Sequence, residues 1–306
     1  MKYFPIKNTN LNVSNIIMGN MRITQLSLSE IESLILTAMD EGINFFDHAD
    51  IYGGGKCEEL FADAIQMNPS IREKMILQSK CGIRQGYFDF SKEHIITSVD
   101  GILKRLKTDY LDILLLHRPD PLMEPEEVAE AFDELHNSGK VKYFGVSNHN
   151  PAQIELLQKY VSHKLVVNQL QLSIAHTPMI DSGIALNMNV DQSINRDSSI
   201  LEYCRLHDIT IQAWSPYQTG FFKGPFLGDT ENFPELNEVI DKIAEKYEVT
   251  NTAIATAWIT RHPANIQVVL GTTNAGRLSD ACKGSEIPLT RDEWYQIYKA
   301  AGNIVP

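Results

Sequence analysis

The sequence predicts an α/β fold, a single-domain (β/α)8 barrel of the TIM type. Short apolar runs alternate with amphipathic helical stretches eight times along the 306 residues, a length common for one such barrel. Several of these runs are apolar on both faces, as in buried parallel strands. Polar residues follow nearly every run. Repeated strand–helix alternation favours a closed parallel barrel over a sandwich.

Eight strands are predicted from runs rich in Val, Ile, Leu and Phe. They comprise residues 15–18, 43–46, 74–79, 111–116, 141–146, 165–168, 209–213 and 266–270. Each is short enough for a barrel strand and is followed by a stretch with helical periodicity. The order of these elements therefore predicts eight consecutive strand–helix units.

Helix-start signals lie between the predicted strands. Ser29 and Glu32 have the spacing of a capping box at the start of a helix over residues 31–39. The remaining signals are Gly42 as a helix stop, Ser91 before a helix reaching about Lys107, and the first-turn prolines Pro125 and Pro151, the latter after Asn150.

Four segments fall outside the repeat. Residues 1–14 are predicted to form a short hairpin at the bottom of the barrel, and residues 172–196 a long polar loop without clear period. Residues 218–235 are rich in Gly, Phe and Pro, and residues 291–300 form a predicted extra C-terminal helix. Long loops on a compact domain are usually functional or disordered. With no linker or repeat, residues 1–306 are predicted to be one domain.

Composition restricts the class of partner. The net charge of −12 argues against a general nucleic-acid or membrane surface, which needs a basic face. No apolar run is long enough to span a bilayer, and no secretory signal follows Met1. The four cysteines lack CxxC spacing and are expected to be reduced thiols. We expect a cytoplasmic protein, a monomer or weak homo-oligomer, that acts on a small molecule.

The predicted strand ends carry polar or aromatic residues that a structural barrel does not require. In barrels of this kind, reactive side chains gather at the C-terminal ends of the strands. At or directly after seven consecutive strands stand Asp47, Lys80, His117, Ser147-Asn148, Asn168-Gln169, Trp214-Ser215 and Gly271-Thr272. Their coincidence at one face predicts an active site there.

Four of these neighbouring residues suggest proton transfer to a carbonyl. Lys80 is placed to pair with Asp47, and its cation is expected to lower the pKa of Tyr52. A tyrosine tuned in this way is a candidate general acid, and His117 could orient a carbonyl oxygen. Taken singly, an Asp–Lys pair or a histidine at a strand end is more often structural; their proximity favours catalysis.

The segment Phe45-Phe46-Asp47-His48-Ala49-Asp50-Ile51-Tyr52-Gly53 resembles the signature after the second strand of the aldo-keto reductases. The resemblance covers about residues 10–285, with each motif in order. It implies a catalytic tetrad of Asp47, Tyr52, Lys80 and His117. It also implies an NADP(H)-dependent oxidoreductase that reduces aldehydes or ketones by direct hydride transfer, with Tyr52 as general acid.

The same resemblance implies where the cofactor binds. Residues implied at the nicotinamide end are Ser147, Asn148 and Gln169 around the carboxamide, and Trp214, Ser215 and Pro216 in the segment whose aromatic ring stacks on the nicotinamide. Gly19 and Met21 after the first strand, and Gly220 in the loop of residues 218–235, are further candidate contacts.

The segment from Gly271 to Arg277 is a candidate phosphate site. It follows a strand and opens a helix, whose N-terminus favours anions. Arg277 and Leu278 stand where a P-loop requires Lys and Ser/Thr, so ATP binding is not expected. The resemblance implies that Thr272 and Arg277 bind the 2′-phosphate. Gly271 replaces a lysine common in the family, which leaves NAD(H) possible beside NADP(H).

Two alternatives remain open from the sequence. One is a metal-dependent hydrolase on the same barrel, with Asp47, His48, Asp50 and His117 drawn as ligands; Lys80 beside a metal argues against it, and no metal is expected. The other is a cofactor-binding interaction subunit with little turnover, like the potassium-channel β-subunits that share this barrel. The effect of His48 on the charge felt by Asp47 stays open.

Overall fold

The computed structural model describes residues 1–221 and 223–306. The strands, in chain order, are β1 (Tyr3–Pro5), β2 (Asn12–Ser14), β3 (Ile16–Gly19), β4 (Phe45–Asp47), β5 (Ile76–Cys81), β6 (Ile83–Arg84), β7 (Tyr87–Phe88), β8 (Leu111–Leu116), β9 (Val141–Ser147), β10 (Leu165–Gln171), β11 (Thr210–Trp214) and β12 (Gln267–Leu270).

Within the described ranges, eight parallel strands close into a barrel in the order β3-β4-β5-β8-β9-β10-β11-β12. The barrel closes where β12 pairs with β3, with Leu270 opposite Met18. This is the predicted (β/α)8 fold. The predicted strand bounds differ from the observed ones by up to three residues, as in β10, which continues past Asn168 to Gln171.

Helices cover the outside of the barrel. They are α1 (Leu28–Asp40), α2 (Lys56–Ala64), α3 (Pro69–Arg72), α4 (Lys92–Leu106), α5 (Pro125–Asn137), α6 (Pro151–Tyr160), α7 (Pro178–Ile184), α8 (Ile200–Leu206), α9 (Pro234–Tyr247), α10 (Asn251–Thr260), α11 (Ala275–Lys283) and α12 (Arg291–Ala300).

Most of the predicted helix starts are confirmed, and one is wrong. Ser91 caps α4, and Pro125 and Pro151 occupy the first turns of α5 and α6. The first helix, however, begins earlier than predicted. Its capping box is formed by Ser27 and Glu30, because this pair, two residues upstream of the predicted one, satisfies the free N–H groups.

The N-terminal hairpin marks the bottom of the barrel. β1 and β2 pair antiparallel, with Tyr3 opposite Ser14, and β2 leads directly into the start of β3. Ile6 and Val13 of the hairpin are fully buried in one apolar cluster with barrel residues such as Phe45 and Ile113. The hairpin thus fills the N-terminal end of the barrel, as predicted, and leaves the opposite end for a functional site.

The segment of residues 172–196 is more ordered than predicted. It contains α7, in which Met179 and Ile180 are buried, and a 3-10 turn at Asp191–Ser193. The Tyr298 hydroxyl of α12 donates a hydrogen bond to Asp181 over 2.6 Å. Contacts distant in sequence therefore order a stretch that has no helical period of its own.

Two further expectations concern the whole chain. In the described part of the chain, no helix combines the length and the hydropathy needed to cross a membrane. The four cysteines, all of them described, are buried and unpaired, as the lack of CxxC spacing predicted.

Two neighbouring carboxyl groups, the buried Glu58 and the half-buried Asp50, lie at the loop after β4. Glu58 in α2 is fully buried and accepts hydrogen bonds from Ser79 Oγ and Arg105 Nε, each over 2.7 Å. Asp50 lies nearby, and its Oδ1 has no hydrogen-bond partner among the described residues. Burial, reinforced by the charge of Glu58, raises the pKa of Asp50 to about 7. Arg105, which is hydrogen-bonded to Glu58, thus stabilises the Glu58 carboxylate more than that of Asp50.

Asp50 should make stability depend on pH near neutrality. In the unfolded chain the pKa of an aspartate is about 3.9, whereas in the folded chain the pKa of Asp50 is raised to about 7. The folded state therefore binds the extra proton between these values, and its stability falls as pH rises through this window. We expect Asp50→Asn to raise the melting temperature at pH 8 by about 2–4 °C, and to have less benefit at pH 5.

The measurement is thermal unfolding between pH 5 and 8.5. The control is Asp63→Asn, because Asp63 is an exposed carboxylate in helix α2, which also contains Glu58, and is paired with Lys107. A wild-type and an Asp50→Asn protein with parallel stability profiles would contradict the assignment of this titration to Asp50.

Candidate active site

Three barrel strands and one loop bring the four predicted catalytic residues together. Asp47 is the last residue of β4, Lys80 lies near the end of β5, and His117 directly follows β8. Tyr52 opens a 3-10 turn in which Gly53 and Gly54 have φ of 59° and 63°, a left-handed conformation that glycine adopts without strain. This turn brings the Tyr52 ring to within 5.9 Å of the His117 ring, edge to face.

The centre of the site is a buried ammonium group. Lys80 Nζ donates to Asp47 Oδ2 over 2.6 Å, to the His48 carbonyl over 2.8 Å and to the Tyr52 hydroxyl over 3.3 Å. These three acceptors match the three protons of an ammonium group. Burial alone would lower the pKa of Lys80, but Asp47 and Tyr52 outweigh it and the pKa is raised. Lys80 is therefore charged at neutral pH, in the predicted salt bridge with Asp47.

The predicted direction of the Tyr52 pKa is wrong. Burial raises the pKa of Tyr52 above its usual value of 10, and the Lys80 cation opposes this shift without overcoming it. The sequence pattern revealed the neighbouring cation, but the cost of charging a buried phenol depends on the tertiary structure. Tyr52 is thus a protonated phenol, available as a donor, at neutral pH.

Both histidines near Lys80 are neutral. Burial, with a contribution from Lys80, lowers the pKa of His48 to about 3 and that of His117 well below its usual value. His48 packs edge-on against Phe61 and adds no charge beside Asp47, which answers the question left open by the sequence. His117 Nδ1 is buried and has no hydrogen-bond partner among the described residues.

A column of buried glutamines holds Asp47 from below. Gln78 and Gln169 donate to Asp47 Oδ1 over 2.6 Å and 3.1 Å, and both also donate to Gln212. Gln212 donates to Gln267 over 3.1 Å, which donates to the Ser14 carbonyl over 2.7 Å. The carboxylate is therefore fixed by hydrogen bonds that reach the N-terminal hairpin. Of these four glutamines, sequence reasoning singled out Gln169 alone.

The four predicted catalytic residues adjoin a cavity of about 840 Å³ at the C-terminal end of the barrel. Its volume suits a cofactor or substrate. Asp47, Tyr52 and His117 line it, whereas Lys80 lies behind them, fully buried. The predicted cofactor contacts that also line it are Gly19, Met21, Ser147, Asn148, Gln169, Trp214, Ser215, Pro216, Gly271, Thr272 and Arg277.

Gly19 and Gly220, two glycines predicted to contact the cofactor, differ in their surroundings. Gly19 lines the cavity and Gly220 does not. A Cβ on Gly19 would come within 3.0 Å of the Leu270 carbonyl, so packing of β3 against β12 also requires this glycine. Gly220 does not line the cavity in the described structure; a Cβ there would lie 3.3 Å from the Lys223 side chain. Residue 222 of the same loop lies outside the described residues.

A polar cluster stands where the nicotinamide end is predicted. Asn148 adopts φ of 62° and Ser215 φ of 53°, a strained conformation for residues with side chains that is common at functional sites. The Trp214 indole N–H donates to Asn148 Oδ1 over 3.1 Å, and Asn148 Nδ2 donates to Ser147 Oγ over 2.8 Å. These bonds orient the indole ring and the amide at the cavity wall.

At the far end of the cavity, a helix N-terminus is placed as predicted. Asn274 caps α11 and accepts a hydrogen bond from the Arg277 backbone N–H over 2.9 Å. The Arg277 side chain is exposed, and Thr272 precedes the cap. A cation and a helix N-terminus together suit an anionic group.

Sequence reasoning assigned no role to Arg118, a charged residue of the cavity. Arg118 follows His117 and lines the cavity, with its guanidinium over the rings of Trp214 and Phe221. The position of Arg118 directly after a predicted catalytic histidine is the sequence feature that could have identified it as a residue of the site. The aromatic residues Tyr217 and Phe221 also line the cavity.

The donors around Asp47 argue against a metal centre. Gln78 and Gln169 engage one carboxylate oxygen and Lys80 the other. Among residues 1–221 and 223–306, no group of three or more His, Cys, Asp or Glu side chains is arranged to hold a metal ion. Asp47 is therefore not available as the metal ligand that the hydrolase alternative requires.

Two bacterial proteins are similar to this chain over nearly its whole length. The chain is 37% identical to the oxidoreductase YcsN of Bacillus subtilis (strain 168) over 303 residues, 95% of each chain. It is 34% identical to the 6-dehydroglucose reductase of Agrobacterium fabrum (strain C58) over 305 residues, again 95% of each.

A solved structure shares the fold. The aldo/keto reductase of Klebsiella pneumoniae, solved in complex with NADP and acetate, superposes with a TM-score of 0.76 at 21% identity, covering 96% of this chain and 93% of that one. The model of the aldo/keto reductase family matches residues 15–301. The chain belongs to the aldo/keto reductase family.

Proposed function

We propose that this protein is an NADP(H)-dependent oxidoreductase that reduces aldehyde or ketone carbonyls to alcohols, with residues 1–306 acting as one domain. The observation that carries the proposal is the Tyr52 hydroxyl, 3.3 Å from the buried Lys80 ammonium and beside His117 on the wall of the cavity. A protonated phenol, a cation that stabilises its conjugate base and a neutral imidazole are together suited to protonating a carbonyl oxygen.

Each residue has a defined role in the proposed reaction. Tyr52 donates its proton to the carbonyl oxygen. Lys80 stabilises the tyrosinate that forms, and Asp47 holds Lys80 in place through its 2.6 Å ion pair. His117, kept neutral by burial, can donate one hydrogen bond to the same oxygen and thereby orient the carbonyl.

The residues along the cavity fit nicotinamide adenine dinucleotide phosphate. Trp214, Asn148, Ser147 and Gln169 would hold the nicotinamide end, while Thr272, Arg277 and the start of α11 would hold the phosphate end. When bound, NADPH supplies the hydride. The complex of the Klebsiella relative with NADP supports this choice, and NAD(H) is the alternative because Gly271 adds no cation.

The alternative of an interaction subunit with little turnover makes a different prediction. It expects nucleotide binding without meaningful carbonyl reduction. The complete Asp47–Lys80–Tyr52 hydrogen-bond chain favours an enzyme, since nucleotide binding alone does not require a proton donor. Turnover with a panel of aldehydes, sugar aldehydes included because of the Agrobacterium relative, separates the two.

Replacement of the proton donor tests the function. We expect Tyr52→Phe to lower kcat for NADPH-dependent aldehyde reduction by about 10²–10⁴-fold, the usual contribution of a general acid, with little change in NADPH affinity. The matched control is Tyr217→Phe, because Tyr217 lines the same cavity but its hydroxyl contacts Thr256 over 2.7 Å. Equal rates for wild type and Tyr52→Phe would refute the role of Tyr52.

The pH dependence of reduction follows from the two pKa directions. Tyr52 must be protonated to act, and burial raises its pKa above 10; His117 stays neutral because burial lowers its pKa. We expect kcat to be level between about pH 6 and 9 and to fall only above about pH 10. Asp50→Asn serves as control for the titration near pH 7. A descending limb below pH 9 that persists in this variant would contradict the Tyr52 assignment.

Arg277 should determine the preference for the phosphorylated cofactor. We expect Arg277→Gln to weaken NADPH binding by about tenfold, the effect of losing one charge-assisted contact, and to leave NADH binding nearly unchanged. Quenching of tryptophan fluorescence measures both affinities. The control is Lys283→Gln, which removes an exposed cation of the same helix that pairs with Asp280. Equal loss of affinity for both nucleotides would show that Arg277 does not read the 2′-phosphate.

A further inference from the structure

The larger cavity is locally basic in an acidic protein. Arg22, Arg118 and Arg277 line it, although the chain has a net charge of −12. Among its described lining residues, Asp47 is the one carboxylate, and both of its oxygens are engaged by Lys80 and two glutamines. The unpaired charge facing this space is therefore positive, which favours an anionic ligand.

Arg118 lines the cavity and directly follows the proposed catalytic residue His117 in the sequence. It is half-buried, and its guanidinium carbon lies 5.7 Å from the Trp214 ring centroid and 5.5 Å from that of Phe221. Burial lowers the pKa of Arg118, and within the described residues no carboxylate opposes that shift. A cation removed from water without an anion beside it carries a desolvation cost that an anionic ligand would offset.

The position of Arg118 relates it to the carbonyl. It is the next residue after His117, and the Tyr52 phenol is close enough to act on its pKa. A carbonyl held by Tyr52 and His117 would thus have Arg118 on its flank. An anionic group a few bonds from the carbonyl carbon would come within reach of the guanidinium.

A second, smaller cavity helps to locate the anion. It has a volume of about 320 Å³ and shares Arg118, Asn148, Trp214 and Phe221 with the larger one. Asp197 also lines the smaller cavity, and its carboxyl makes that space less suited to an anion. The larger cavity, where Tyr52 and His117 lie, is the better location.

We propose that Arg118 binds a carboxylate on the substrate, so that the preferred substrates are aldehydes or ketones that carry a carboxylate. This inference rests on the proposed carbonyl reduction and adds a substrate class to it. The planar guanidinium matches a carboxylate through two parallel hydrogen bonds, and its seat against two aromatic rings holds it in a fixed orientation.

The kinetic test compares a charged substrate with a neutral one. The ratio of kcat/KM for 4-carboxybenzaldehyde to that for 4-methylbenzaldehyde is measured in wild type, Arg118→Gln and Arg118→Lys. We expect Arg118→Gln to lower this ratio by about 10–100-fold and Arg118→Lys to lower it less, since the charge remains. Intrinsic aldehyde reactivity cancels when the ratios of two proteins are compared, and the neutral substrate reports whether the variant is folded.

A binding test works without turnover. Calorimetric titration with benzoate should show about tenfold weaker binding to Arg118→Gln than to wild type, with benzamide binding little changed in either protein. Arg22→Gln removes the same charge elsewhere in the cavity and should weaken benzoate binding much less.

The failure of this inference can be told apart from the failure of the proposed function. If the wild-type protein reduces no aldehyde, the proposed function is rejected, whereas the benzoate titration still tests Arg118. An unchanged substrate ratio and unchanged benzoate affinity in Arg118→Gln would overturn the inference, as would an equal loss in Arg22→Gln.

Discussion

The buried ion pair of Lys80 and Asp47 is the interaction on which the rest of the site depends. Removing two charges from water costs several kcal/mol per ion, and the hydrogen bonds that each ion makes offset part of this cost. Lys80 contacts three acceptors, and Asp47 accepts from Lys80, Gln78 and Gln169. The parallel pairing of β4 with β5 sets Asp47 opposite Gln78, so the barrel itself determines the geometry of the pair.

The same requirement explains the polar interior of the barrel. Gln212 accepts from both glutamines that hold Asp47 and passes the hydrogen-bond network to Gln267 and the Ser14 carbonyl. A buried amide network of this kind is stable only when nearly all its members are satisfied, and it then fixes side-chain positions strongly. The N-terminal hairpin is therefore connected through the barrel to the carboxylate at the opposite end.

The sequence predicts the parts of this structure that depend on local pattern. Apolar runs located all eight barrel strands, and the residues after them located Asp47, Lys80 and His117 at one face. What it missed depends on tertiary contacts: the helix α7, ordered in part by Tyr298, the burial that raises the pKa of Tyr52, and the position of Arg118 over two aromatic rings. Neither the periodicity nor the spacing of residues in the sequence predicts how far a particular side chain is removed from water in the folded protein.

The raised pKa of Tyr52 changes how its proposed catalysis must be understood. A phenol with a raised pKa is a weaker acid in the resting site, so a lowered ground-state pKa cannot drive proton donation. What matters is the stabilisation that grows as the proton leaves. Lys80, 3.3 Å from the hydroxyl and fixed by Asp47, interacts far more strongly with a tyrosinate than with a phenol, and burial strengthens that interaction. In the proposed reaction, the burial that keeps Tyr52 protonated at rest therefore also strengthens the stabilisation of its anion as the proton is transferred.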